Sequence, residues 1–312
     1  MANKKNTWPV LQFDELKDTI YLLHHWTQII GKVRLKKSPW QNHSWHVPLY
    51  VESQGLTTGL IPYENGVFEI RLDFIHHELR IKTTNGTQDR FSLAGQTVAS
   101  FYQQLMEKLH FLGIQVKIHA IPNEMPNPIP FAKNNKKLIY QANAAQKIWK
   151  TLVFVNKEFN SFRTKFTGKS SPVHFFWGSF DLAYTRFSGR KAPVFEADVP
   201  NIPKAVMQES YSHEVFSVGF WPGNEAFPTP SFYAYCYPNH PEFKEESVQP
   251  KEAYWSTDMG EFLLSYEVVQ KSSNPEATLQ SFLQSTYEAA AKVGNWDRES
   301  LDCDFSHFDQ KK

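Results

Sequence analysis

Between residues 168 and 223 the chain sets acids, bases and cations into a dense aromatic background. The segments read GKSSPVHFFWGSFDLAYTRFSGRKAP (168–193) and ESYSHEVFSVGFWPG (209–223). Histidine titrates near neutral pH, so His174 and His213 are candidate general acids or bases. Asp181 or Glu214 would orient such an imidazole. Arg186 and Arg190 flank Phe187-Ser188-Gly189. Their planar forks suit a carboxylate or phosphate. Trp177, Trp221, Phe176 and Tyr211 would wall the pocket. Apolar surroundings penalise unpaired polar groups, so these side chains pair with each other or with a ligand. One reading is a binding protein or enzyme acting on a small anionic molecule. The alternative is a non-enzymatic interaction protein, in which the same residues form a buried structural network. In that case Arg186 bridges Asp181 or Glu214.

No motif for a particular chemistry is completed. Gly168-Lys169-Ser170 resembles the end of a phosphate loop, but Arg163 stands where the first glycine belongs. His213-Glu214 opens a zinc-protease pattern that Ser217 fails to close. Asp181 replaces the second glycine of a nucleophile elbow. Cys236, inside FYAYCYP, reads as a buried structural thiol. No metal is expected from ligand spacing; if one binds, His174, His213 and Glu214 are the set that could converge. No cofactor is specified.

Composition narrows the class. The chain has 312 residues, 41% hydrophobic and 21% charged, enough for a full core. The net charge of +1 offers no broad attraction to nucleic acid or anionic membrane. The basic stretch KVRLKKSPWQNHSW (32–45) mixes cations with Trp40 and Trp45, but reads equally as lysines past a helix end. Two cysteines fit a reducing cytosol. The N-terminal MANKKNTWPVLQFDELKD lacks the apolar core of a secretory signal. No apolar run reaches the length of a membrane span. A soluble, cytoplasmic protein is expected.

The elements that position these residues follow from periodicity. Helices are predicted over 14–30, 97–112, 143–166 and 275–293, the last with Asn274 as N-cap and Pro275 at its first position. Phe68, Ile70, Leu72 and Phe74 alternate with charges and predict a half-buried strand. Further strands are predicted near 45–52, 79–81, 115–121, 173–184, 214–220, 231–237 and 261–269. The order is helix, strands, helix, then the same again. An α+β fold follows: two tandem helix–antiparallel sheet–helix units, read as a duplication packed together. The N-terminal half covers 8–121. A Pro-rich connector covers 122–142. The C-terminal half, 143–301, carries the candidate site, and an acidic tail covers 302–312.

The segments SPVHFFWGSFDLAYTRFSGR, SHEVFSVGFWPG, PNPIPF (126–131) and WDRESL (296–301) give the chain a further signature. With GKVRL and HVPLYVESQGLTTG they resemble the bacterial domain-of-unknown-function family 5996. The resemblance runs from Trp8 to about Leu301. It implies a bacterial cytosolic protein and supplies no activity, cofactor or catalytic residue.

Overall fold

Residues 8–64, 66–125, 127–199 and 202–303 are described in a computed structural model of the chain. The first helix, α1 (Phe13–Lys37), runs through Gly31 and well past its predicted end at residue 30. Leu16, Ile20, Leu23, Trp26, Ile30 and Val33 are buried along it. Gly31 lies inside the helix because the Trp177 indole rests where its side chain would be.

The first sheet is antiparallel and six-stranded. Its strands are β1 (Tyr50–Glu52), β2 (Gly55–Thr57), β3 (Ile61–Tyr63), β4 (Gly66–Asp73), β5 (Glu78–Thr83) and β6 (Gln88–Ser92). The order is β1-β2-β4-β5-β6, with β3 sharing one edge of β4 with β2. The alternation at Phe68, Ile70 and Leu72 does bury one face. Helix α2 (Val98–Phe111) follows, started by a reciprocal cap between Thr97 and Ser100. The strand predicted over 115–121 is absent: that stretch leads into the connector without a ladder.

The second half begins with α3 (Ala142–Arg163). The single strand predicted over 173–184 is a hairpin, β7 (His174–Phe176) and β8 (Asp181–Lys191), turning through Phe180 at φ 62°. A short helix, α4 (Lys204–Ser210), precedes β9 (His213–Trp221) and β10 (Ser231–Tyr237). Strands β11 (Tyr254–Ser256) and β12 (Glu261–Ser265) complete the second sheet. The strand predicted over 261–269 breaks at Ser265, whose hydroxyl caps α5 (Tyr266–Lys271). Helix α6 (Pro275–Val293) keeps its predicted bounds, with Asn274 accepting from the Ala277 N–H at 3.1 Å. Helix α7 (Arg298–Leu301) follows. Most of the predicted acidic tail, 304–312, lies outside the described residues.

The fold is therefore α+β, with seven helices and two six-stranded antiparallel sheets among the described residues. The second sheet has the order β11-β12-β10-β9-β8-β7. The two sheets touch at one bridge, where Leu49 and Phe175 exchange backbone hydrogen bonds of 2.8 Å. The candidate site depends on the second sheet's two faces. Side chains alternate along a strand. Leu182, Tyr184, Phe216, Val218, Phe220, Phe232 and Ala234 are buried on the face that meets α3 and α6. Asp181, Ala183, Thr185 and Phe187, with Val215 and Ser217, line the other face.

The junction between helix and hairpin yields a test. Glycine inside a helix costs about 1 kcal/mol relative to alanine. Gly31→Ala should nonetheless destabilise, because the new methyl overlaps a buried indole and overpacking costs about 1–3 kcal/mol. Urea unfolding should show a lower midpoint; a raised midpoint would contradict this seating of Trp177.

Candidate functional site

The floor of the site is the open face of the second sheet. Gly219 lies between Ala183 and Tyr233 in register. The Tyr233 ring lies over it, so any Cβ at 219 would overlap that ring. In this position the Tyr233 hydroxyl donates to Asp181 Oδ2. The next row is Thr185, Ser217 and Tyr235. Thr185 Oγ1 and Ser217 Oγ are 2.9 Å apart. The Tyr235 hydroxyl meets that of Tyr211, also at 2.9 Å. Glu261 joins the floor just after Gly260, whose φ of 70° turns the chain into β12.

The roof comes from three places. The connector supplies Asn123 and Glu124, the loop after α1 supplies Trp40, His43 and Trp45, and the segment through α4 supplies Ile202, Val206 and Met207. Floor and roof enclose a cavity of about 610 Å³. That is the size of ordinary small-molecule sites. Its walls include Trp177, Trp221, Phe176 and Phe187.

Helix α1 holds the connector in place with one face. Gln28 Oε1 accepts from the Asn123 N–H at 2.8 Å, and Gln28 Nε2 donates to the Asn123 carbonyl at 2.9 Å. Lys32 Nζ donates to Asn123 Oδ1. His24 Nε2 donates to the Gly178 carbonyl at 2.7 Å. These residues recur at helical spacing, so they share a face. The grip fixes Glu124 in the left-handed region, φ 53°, a strained conformation for a side-chain-bearing residue. Its carboxyl lies against Gly178, where a Cβ would collide with it.

Burial dominates the electrostatics. It raises Asp181 to about 6 against hydrogen bonds from Tyr233 and Ser179. Burial, then the charge of Asp181, raises Glu261 to about 7 and pushes Glu124, more exposed at the rim, in the same direction. A carboxyl titrating near neutrality can give or take a proton at working pH, as general acid–base chemistry requires. Burial lowers His174 to about 3, leaving it a neutral imidazole. It raises Tyr211, Tyr233 and Tyr235, which stay protonated. No lysine or arginine lines the cavity among the described residues.

Three polar atoms on lining residues are unmatched: Ser44 Oγ, His174 Nδ1 and Asp181 Oδ1. Asp181 is 6% exposed and His174 1% exposed. Asp181 Oδ1 and His174 Nδ1 have no geometrically sound hydrogen-bond partner. An unsatisfied buried polar atom costs about 1–3 kcal/mol.

The structure thus brings together His174, Asp181, Phe176, Trp177, Trp221 and Tyr211. It places His213, Glu214, Arg186 and Arg190 outside the lining. Arg186 follows Thr185 on β8, so alternation sends it to the helix face. There it is fully buried, with its guanidinium 3.6 Å from the Phe162 ring centre and 4.3 Å from that of Tyr287. Its Nη2 donates to the Phe162 carbonyl at 2.6 Å. It bridges neither Asp181 nor Glu214. Arg190 pairs instead with Glu214 at 2.7 Å and donates to the Gly294 and Asn295 carbonyls. Glu214 also accepts from Ser188. His213 packs edge-on to His43, with its Nδ1 3.1 Å from Ser212 Oγ. His174, His213 and Glu214 therefore do not converge, and no group of three metal-ligating side chains forms among the described residues.

Glu124, Glu261, Tyr233 and Tyr235 are absent from the sequence-derived set. One signal pointed to them: strand alternation places Tyr233 and Tyr235 on one face and Ser217 beside them. Glu124 carried only its setting among prolines, and nothing in sequence brings residue 124 to residue 181.

A family model matches residues 8–303. The chain belongs to the family of unknown function DUF5996. Searches of curated proteins and of solved structures return no match. The DUF5996 span includes both halves, the connector and every residue lining the cavity. It assigns none of them a role.

The arginines separate packing from site. Arg186→Ala should cost about 3–5 kcal/mol, through a void among four aromatic rings and an unsatisfied Phe162 carbonyl. Arg190→Ala, half exposed, should cost under about 1 kcal/mol. Thermal unfolding of the two variants checks the contrast, and equal losses would contradict it.

Proposed function

We propose that this protein binds a small, partly apolar molecule in the cavity between its second sheet and the roof. The observation that carries this reading is an aromatic-walled space of about 610 Å³ onto which Tyr and Ser hydroxyls and the carboxyls of Asp181, Glu124 and Glu261 converge. The tryptophans supply contact area, and the hydroxyls and carboxyls supply orientation. The anion expected from Arg186 and Arg190 loses its basis, because both side chains are engaged elsewhere. Glu124 and Glu261 add the capacity to exchange protons with what is bound. A soluble cytoplasmic protein suits this reading; no described helix is long and apolar enough to cross a membrane.

Ala183 gives a direct test. It sits mid-floor opposite Gly219, and a larger side chain there would extend into the cavity. The neutral probe 2-(2-naphthyl)ethanol should bind the native protein and quench its tryptophan fluorescence. Ala183→Phe should abolish that binding while the fold survives. Equal binding by both proteins, or none by the native one, would overturn the reading.

A further inference from the structure

We propose that the ligand is a primary ammonium ion with an apolar body, its charged end seated among Asp181, Glu124 and Glu261. The inference rests on the cavity reading above and adds the ligand's charge class.

Three carboxyls from three distant segments converge on one cavity: Asp181 buried, Glu261 half-buried and Glu124 at its exposed rim. They come from the connector, the start of β8 and the start of β12. They raise one another's proton affinity by like charge, Asp181 acting on both glutamates. Coulomb energy between groups removed from water is large, so an uncompensated set is costly. Cations stand around the lining but not in it; Arg34 is buried over the Tyr50 ring at 5.1 Å and its charge acts on His174. Lys32 is directed at Asn123 and Trp177. Lys169 lies over the Trp45 and Phe187 rings with its Nζ 2.7 Å from His43 Nε2. The missing counter-charge is thus one that a ligand can bring.

The unmatched atoms sharpen the class. Asp181 Oδ1 is an acceptor, and neutral His174 offers a second acceptor once its tautomer is chosen. An ammonium group has three donors and no acceptor. It can donate to the Asp181 carboxyl and to a glutamate at once. A quaternary ammonium has no donor for either. A neutral alcohol leaves the carboxyl repulsion unrelieved, and a carboxylate adds to it. The tryptophan and phenylalanine walls fit the apolar body and attract cationic charge through their ring faces.

Binding should then be linked to protons. The carboxyls face Tyr233 and Tyr235 of β10, Tyr211 at the end of α4, His174 of β7 and His43 of the loop after α1. Lys32 of α1 lies across Asn123. The tyrosines stay protonated, His174 stays neutral and Lys32, lowered to about 8 by burial, stays cationic over most of the window. Protonated carboxyls repel no anion and attract no cation. Raising pH from about 5.5 to about 7.5 ionises them and strengthens cation binding. His43, lowered by burial and then by the charge of Lys169, loses its charge below the usual histidine range, a change of the same sign.

The test uses three probes of one shape: 2-(2-naphthyl)ethylamine, 2-(2-naphthyl)ethanol and 2-naphthylacetate. Calorimetry on the native protein should rank the amine at least about tenfold tighter than the alcohol, with the acetate weakest. The amine's affinity should rise with pH over that window, with protons released into the buffer. Glu124→Gln and Glu261→Gln should each narrow the amine–alcohol gap by at least about fivefold. The native protein carries the test even if a variant fails to fold. If the alcohol binds as tightly as the amine, or the acetate binds best, the cation assignment is overturned and the cavity reading stands. If no probe binds, both are overturned.

Discussion

The seating of Trp177 against Gly31 is the contact on which the rest depends. The indole occupies the space that any side chain on α1 would need at that point. Its Nε1 donates to the Val47 carbonyl at 2.9 Å, tying the β7–β8 turn to the loop after α1. The Leu49–Phe175 bridge continues the same seam. With that seam closed, His24, Gln28 and Lys32 reach the connector and the turn. Glu124 then arrives over Asp181 as a consequence of packing between the halves. The cavity therefore belongs to neither half alone.

Stability and site are divided between the two faces of one sheet. Residues that alternate along β8 go to opposite fates: Arg186 into an aromatic stack under α3 and α6, Thr185 and Phe187 into the cavity. The helix face is almost wholly apolar, and its one guanidinium is held by rings and a backbone carbonyl. The open face carries hydroxyls and acids at the same spacing. Burying Asp181 and half-burying Glu261 costs free energy that packing on the far face must offset. Buried, strained and incompletely matched groups are where natural proteins depart from stability toward function.

Much of the fold was legible. The helical stripe at Leu279, Phe282, Leu283 and Thr286, with Asn274 and Pro275 before it, fixed α6 at both ends. The alternation through Phe68, Ile70 and Leu72 fixed β4 and its buried face. Gly31 misled, because a glycine near a helix end signals either a cap or a close approach, and only the partner decides which. Phe180 concealed a hairpin because few residues but glycine advertise a positive φ. At the site, Trp177, Trp221, Tyr211, His174 and Asp181 were readable from their density in one stretch. The arginines were misassigned in role because proximity in sequence ignores which face a strand residue takes. Glu124 and Glu261 were invisible for a different reason: their chemistry comes from long-range burial.

Three carboxyls meet in one cavity between the second sheet and its roof. Carbon-13 carboxyl NMR across a pH titration measures their coupling most directly. Asp181 should titrate at about 6 and Glu261 at about 7, with Glu124 shifted upward, each assigned by its loss in Asp181→Asn, Glu261→Gln or Glu124→Gln. Titration of all three in the ordinary range near about 4 would show a hydrated, open surface and contradict the account.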